Sequence, residues 1–186
     1  MKVVLGGSRK LGFIPDPVVS FLNDSIERGD NFFIGDAAGV DSTIQKFMVL
    51  RNYQNVQIFS SAGYVRNNLG NWLEHQIETN LKSKSNALHA FKDREMCKRA
   101  DLGLMIWDQE SAGTLSNAID LLSQGKSCYI YNALDQEFVK FDASSSLDQW
   151  LETYPEVAAE ALSRLNRFRN RMKIGSKLDS VQSELF

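Results

Sequence analysis

Asn31-Phe32-Phe33-Ile34-Gly35-Asp36-Ala37-Ala38-Gly39-Val40-Asp41 passes from a short apolar run, through a turn of small residues, straight into a helical stretch over 40–51. Residues 31–34 suit a strand buried on both faces, and Ile44, Phe47, Met48 and Val49 give the following helix its apolar stripe. A strand that hands over directly to an amphipathic helix is the repeating unit of a parallel sheet with helices packed on it.

The same unit recurs on either side. Runs at 2–5, 56–60, 102–107 and 127–131 are short, rich in Val, Ile, Phe and Tyr, and mostly bounded by Gly, Asp or Ser. Between them, 17–28 carries Val18, Phe21, Leu22 and Ile26 at helical spacing, with Asp16 as N-cap, Pro17 in the first turn and Gly29 past the end. A further helix over 114–124 puts Leu115, Ala118, Ile119 and Leu122 on one stripe before Gly125. The expected fold class is therefore α/β, a Rossmann-like doubly wound parallel sheet of about five strands with a C-terminal helical appendage. The polar, Asn-rich stretch 63–90, anchored by Trp72 and Leu73, reads as a loop and helix inserted after the third strand. Past Asp135 come a short alternating piece at 138–141, a helix near 147–153 and a longer one over 155–171. The expected organisation is a ligand-binding unit at 1–134, a strand and helix appendage at 135–172, and a mobile tail at 173–186.

Composition limits the function classes. In 186 residues, 43% are hydrophobic and 24% charged, with only 3 Pro, which is enough apolar matter for one real core and excludes disorder for most of the chain. A net charge of -2 gives no general attraction for nucleic acid or an anionic membrane, so an anionic ligand must be held by local groups. The apolar run Val3-Val4-Leu5 is too short for a signal peptide or a membrane span, and a cytoplasmic location is expected. Cys97, Cys128, His75 and His89 form no metal-ligand or disulfide pattern, so two reduced, packed thiols and no metal are expected.

In an open α/β sheet the ligand lies beyond the carboxyl ends of the strands, so the residues that directly follow strands matter most. Gly6-Gly7-Ser8-Arg9 follows the first strand and offers close backbone approach, a hydroxyl and a guanidinium fork suited to phosphate. Gly35-Asp36-Ala37-Ala38-Gly39-Val40-Asp41 follows the second and opens a helix whose amides favour an anion or a sugar. Glu110-Ser111-Ala112-Gly113-Thr114 again sits at a helix start. Each turn alone also answers a structural need: a tight strand exit at Gly6 and Gly7, capping and dipole compensation at Asp36 and Asp41, an N-cap at Ser111 to Thr114. Their coincidence at one edge points to a phosphate- or ribose-sized ligand. Neither GxxxxGK[ST] nor GxGxxG occurs, which disfavours a P-loop NTPase and an ordinary dinucleotide-binding domain.

Gly7-Ser8-Arg9, Gly35-Asp36-Ala37-Ala38-Gly39-Val40-Asp41 and Ser111-Ala112-Gly113-Thr114 together resemble the SLOG superfamily over about residues 2–132, and within it the YspA-like group most closely. The superfamily also holds the LOG phosphoribohydrolases, molybdenum-cofactor carriers and DNA-processing proteins of transformation. The resemblance implies a Rossmann-like domain binding a nucleotide, nucleoside or ADP-ribose-type ligand, with no resident cofactor, in some relatives cleaving an N-glycosidic bond, and often in pairs of subunits. Carried onto this chain it implies a pocket lined by Gly7, Ser8, Arg9, Asp36, Gly39, Asp41, Gly113 and Thr114, and the expected ligand set adds Gly6, Gly35, Ala37, Ser111 and Asn117. Lys92 and Arg94 are expected either to meet a phosphate, as in the Arg-Lys-x-x-Met helix of LOG relatives, or to lie on a solvated helix face. Asn117 stands where LOG enzymes have their catalytic glutamate, so any catalysis is left to Asp36, Asp41 or Glu110.

Three features stand outside that set. Arg66-Asn67-Asn68-Leu69-Gly70-Asn71-Trp72 reads either as a lid over a base or as a surface loop pinned by Trp72. Arg164, Arg167, Arg169, Arg171 and Lys173 form a basic block that suits a nucleic acid, a partner or simply a helix C-terminus. Gln182-Ser183-Glu184-Leu185-Phe186 resembles the bacterial sliding-clamp-binding peptide, which would make the chain a DNA-associated adaptor.

Overall fold

A computed structural model describes residues 1–61, 63–77, 86–167 and 170, with the side chains of 86–88 left aside. Twelve elements follow one another: β1 (Lys2–Gly7), α1 (Asp16–Glu27), β2 (Asn31–Gly35), α2 (Val40–Leu50), β3 (Val56–Ser61), β4 (Leu73–Ile77), α3 (Asn86–Arg99), β5 (Leu102–Trp107), α4 (Ala112–Ser123), β6 (Ser127–Asn132), β7 (Glu137–Phe141) and α5 (Ser144–Leu151). A further helix, α6, runs over 155–167. The expected tail at 173–186, with its clamp-type peptide, lies outside the described residues, as do Arg169, Arg171 and Lys173.

The sheet has seven strands in the order β4-β3-β2-β1-β5-β6-β7, and only the β6–β7 pairing is antiparallel. Strand alternation explains why helices cover both faces. Val3, Leu5, Phe32, Ile34, Leu104 and Ile106 point to the face packed by Val18 and Leu22 of α1 and Ile44 and Met48 of α2. Val4, Phe33, Met105 and Trp107 point the other way, against Met96 and Cys97 of α3, Leu115 and Leu121 of α4, Leu147 of α5 and Ala161 of α6. The α/β doubly wound expectation holds, and the helical C-terminal segment is present.

Two strands exceed the expected five, and both lie at sheet edges. β4 reads Leu-Glu-His-Gln-Ile, with Leu73, Glu74 and Gln76 exposed, so no apolar run announces it. What places it is pairing with β3, the stacking of His75 on Phe59 at 4.8 Å, and the His75 Nε2 to Gln57 Oε1 bond at 2.8 Å. β7 includes the alternating piece at 138–141 and lines up antiparallel on β6, Cys128 opposite Phe141, so this part of the appendage is built into the sheet.

Local boundaries shift by a residue or two. Pro15, not Asp16, caps α1, and its carbonyl accepts the Val18 and Val19 amides at 2.9 Å. α4 begins at Ala112 with Ser111 as N-cap, two residues before the expected start. Gly29 and Gly125 end their helices with φ of +74 and +72, the left-handed conformation that favours glycine.

Candidate functional site

The chain leaves β1 towards β2 on one side and returns to β5 on the other, so the carboxyl ends of β1 and β5 flank the topological switch point. Ser8 and Asp108, the first residues past those strands, meet there: the Ser8 hydroxyl donates to Asp108 Oδ2. Asp108 Oδ1 accepts the Ser111 amide at 2.8 Å and the Glu110 amide at 3.2 Å. One carboxylate thus ties the β1 exit to the turn that opens α4. Its position directly after a strand was the signal that could have singled it out.

The glycines at this edge are fixed by packing. Gly6 and Gly7 are the last two residues of β1 and pair with Met105 and Ile106 of β5, so they belong to the strand itself. A Cβ on Gly7 would stand 2.4 Å from the Ile106 carbonyl oxygen and 2.8 Å from a Val40 methyl, which brings α2 hard against β1. Gly39 has φ +77 and lets the Arg9 backbone approach to 2.5 Å of where its Cβ would be. Arg9 itself is exposed, and among the described residues no carboxylate lies within ion-pairing distance of its guanidinium. Gly39 and Ser111 cap α2 and α4 without a side-chain hydrogen bond, so the positive ends of both helices face this edge uncapped by side chains.

Beyond β2 the edge carries buried charge. Asp36, fully buried, accepts a fork from Arg66, Nε to Oδ2 at 2.9 Å and Nη2 to Oδ1 at 2.6 Å, together with the Arg66 amide at 3.2 Å. Lys92 Nζ lies 3.6 Å from Asp36 Oδ1 and 3.5 Å from Asp93. The Asp41 carboxylate accepts the Ala37 amide at 3.2 Å. A Cβ on Gly35 would stand 2.2 Å from Asp41 Oδ2 and 2.7 Å from Lys92 Nζ, so the carboxylate of α2 and the ammonium of α3 come together over the end of β2 only because residue 35 has no side chain.

This environment pushes the two carboxyls apart. Burial pushes the Asp36 carboxyl up, but the Arg66 hydrogen bonds and the charges of Lys92 and Arg66 outweigh it and hold the group below the usual carboxylate range. Burial pushes Asp41 up to about 6, with Lys92 opposing and Asp93 and Asp36 adding to the rise. Burial alone would lower Lys92, yet Asp93, Asp41 and Asp36 together keep it raised, as a charged ammonium.

The loop after β3 serves the same corner. Asn67 Nδ2 donates to the Asp36 carbonyl at 2.9 Å, and the fully buried Gln45 donates to the carbonyls of Gly35 and Asn67 and accepts the Leu69 amide. Asn68 exchanges bonds with the Trp72 backbone, and Trp72, buried, donates its indole N–H to Tyr53 O at 2.9 Å. Of the two readings of this segment, the loop pinned by Trp72 accounts for these contacts.

Lys92 and Arg94 are only 3% and 8% exposed, so neither lies on a solvated helix face. They also part company. Arg94 turns into the contact between α3 and α4, donating to Ser116 O at 2.7 Å and to Asn117 Oδ1, with Asp120 at 3.5 Å. Asn117 Nδ2 then lies 4.0 Å from where a Gly6 Cβ would be. Thr114 is buried and donates to the Ser111 hydroxyl, while Arg164 Nη1, on α6, reaches within 3.7 Å of where a Gly113 Cβ would stand. Glu110 is exposed and paired with Lys10, apart from the buried group at β2.

His89 escaped the sequence reading. It sits one turn before Lys92 on α3, with Nδ1 bonded to the Ser61 hydroxyl of β3 at 3.1 Å. Burial lowers its pKa, and the positive charges of Arg66, Arg9 and Lys92 lower it further against Asp93. A groove of about 190 Å³ lined by Met48, Tyr53, Leu69 and Trp72 opens near the amino ends of β3 and β4, at the opposite end of the sheet from these groups. It brings no charged side chain to a ligand.

The architecture and the placement of these groups define an open, doubly wound α/β protein with a polar, charge-bearing edge at its switch point. No protein-family model matches the chain, and no curated protein matches it. Among the described residues no group of His, Cys, Asp and Glu is arranged to hold a metal ion, and no helix is long and apolar enough to cross a membrane.

Proposed function

We propose that the chain binds a nucleotide or nucleotide-derived small molecule, such as a nucleoside monophosphate, an ADP-ribose-like compound or a cyclic derivative, at the carboxyl edge of its sheet. The observation that carries this reading is the meeting of three strand exits at the switch point, where Arg9 and the starts of α2 and α4 share one edge. Arg9, exposed and without a carboxylate partner among the described residues, supplies the mobile cation for a phosphate, and Asn117 supplies an amide donor beside Gly6. Ribose hydroxyls are assigned to the polar β2 exit on the side of Asp41, since Asp36 is fully buried and its carboxylate is taken by Arg66.

Thermal-shift and calorimetric titration with adenosine monophosphate, ADP-ribose and a cyclic mononucleotide tests this. Arg9→Ala is expected to weaken binding about tenfold, the loss of one charge-assisted hydrogen bond. If no compound stabilises the wild type more than Arg9→Ala, the reading fails.

One observation favours a second reading, N-glycoside hydrolysis: adjoining carboxyls whose pKa values are driven in opposite directions mark acid and base roles in enzymes. Asp41 would serve as the acid, while Asp36, fully buried and paired with Arg66 and Lys92, would hold those cations in place beside it. Release of free base from a nucleotide, abolished in Asp41→Asn and kept in Glu110→Gln, supports it. No release from any common nucleotide leaves binding alone.

A further inference from the structure

The cations at this edge do not all have carboxylates to themselves. Arg66 and Lys92 share the Asp36 carboxylate, at 2.6 and 3.6 Å, and Arg9 has no such partner among the described residues. One turn before Lys92 on α3 stands His89, half-buried, with one ring nitrogen held by the Ser61 hydroxyl at the end of β3. Three segments therefore bring basic groups to one corner, the β1 exit (Arg9), the loop after β3 (Arg66) and α3 (His89 and Lys92), over a floor set by β3. The hydrogen bond at Nδ1 fixes the ring and leaves Nε2 for a second partner.

We propose that His89, with Arg9 and Arg66, forms an oxyanion seat for the phosphate of the ligand, and that the imidazole takes up a proton when the seat is filled. This deepens the proposed function and rests on it for the nucleotide part of the ligand. The groups facing the ring are Ser61 from β3, Arg66 from the loop after β3, Arg9 from the β1 exit, and Lys92 and Asp93 from α3. Burial first, and then the positive charges of Arg66, Arg9 and Lys92 against Asp93, hold the ring's pKa below the usual histidine value. A phosphate dianion reverses the balance: the incoming charge stabilises imidazolium, whose Nε2–H then donates to a phosphate oxygen. The step is a fractional uptake of a proton from solvent, at most about half a proton per phosphate for a rise of one pKa unit, with no bond made or broken in the ligand. Asp36 accepts from Nε and Nη2 of Arg66, and the guanidinium N–H groups it does not take are the ones assigned to the phosphate.

The chain has 2 histidines, so a proton NMR titration resolves both, and His75, on the neighbouring strand β4 with its ring stacked on Phe59 and bonded to Gln57, is the reference. The probes are inorganic phosphate, pyrophosphate and adenosine monophosphate. The expected result is a rise of about one unit in the His89 midpoint on saturation with a probe, with His75 unmoved. Calorimetry in buffers of different ionisation enthalpy at pH 7 is expected to show more proton uptake in the wild type than in His89→Gln, the difference cancelling the ligand's own ionisation, and His89→Gln also binds pyrophosphate about tenfold more weakly. If the nucleotide binds while His89 keeps its midpoint, the seat is refuted and the binding function stands. If phosphate and pyrophosphate move His89 but no nucleotide binds, the seat stands and the nucleotide reading fails. If no probe moves His89 and none binds, both are overturned.

Discussion

Replacing Asp41 by Asn is expected to make the protein more stable at neutral pH, although it removes a buried charge next to Lys92. Asp41 is 8% exposed, and its carboxyl is pushed by burial from 3.8 to about 6. Because the folded value is raised, the native state binds more protons than the unfolded chain between those two limits, so stability falls as pH rises through that window. At about 1.36 kcal/mol per unit, the rise corresponds to about 3 kcal/mol lost once the group is ionised above pH 6. Asn copies the protonated carboxyl in shape, still accepts the Ala37 amide, and leaves Asp36 and Asp93 to face Lys92 at 3.6 and 3.5 Å. Thermal unfolding of wild type and variant at half-unit steps from pH 4 to pH 8 provides the assay. The variant should match the wild type near pH 4 and melt higher at pH 7.5, by up to about 6–10 °C for a chain of this size. Taking the difference between the two curves isolates Asp41 from Asp36, whose lowered carboxyl acts with the opposite sign as pH falls. Parallel curves, or a variant less stable at pH 7.5, would refute the electrostatic account of this corner.

Other variants probe the same packing. Gly35→Ala drives a methyl into the Asp41 carboxylate and Lys92 ammonium and should cost about 3 kcal/mol or more in urea unfolding, whereas Gly12→Ala, with nothing within 4 Å of the added methyl, should be near neutral. Arg94→Met strips Ser116 O, Asn117 and Asp120 of their buried cation and is expected to lower stability by about 3–5 kcal/mol, read by the same assay. Trp72→Phe keeps most of the ring but loses the bond to Tyr53 O, and should cost about 1–2 kcal/mol and loosen the Arg66 loop, seen as faster amide exchange at Arg66 and Leu69.

Much of the fold is legible wherever burial is two-sided. The strands at 31–34 and 102–107 could be read from their apolar runs because both of their faces are covered by helices, which forces continuous hydrophobicity. β4 could not be read this way: an edge strand is covered less, so His75 and Gln76 satisfy it as well as Val would. The site divides along similar lines. The turns at Gly35 to Asp41 and Ser111 to Thr114 are local, and their chemistry shows in the chain itself. Arg94 and Lys92 look alike in sequence, two residues apart on one helix, and only the opposing element decides that one serves α4 and the other Asp36.

By itself the sequence determined an α/β sheet wound both ways, and it placed small, polar turns after the strands, because strand burial and helix starts are local matters of hydrophobicity and backbone freedom. Only the tertiary structure decided which charges share a corner. Asp36, Asp41, Arg66 and the pair His89 and Lys92 of α3 come from separate parts of the chain, and their protonation depends on distances of a few ångströms that no spacing along the chain encodes.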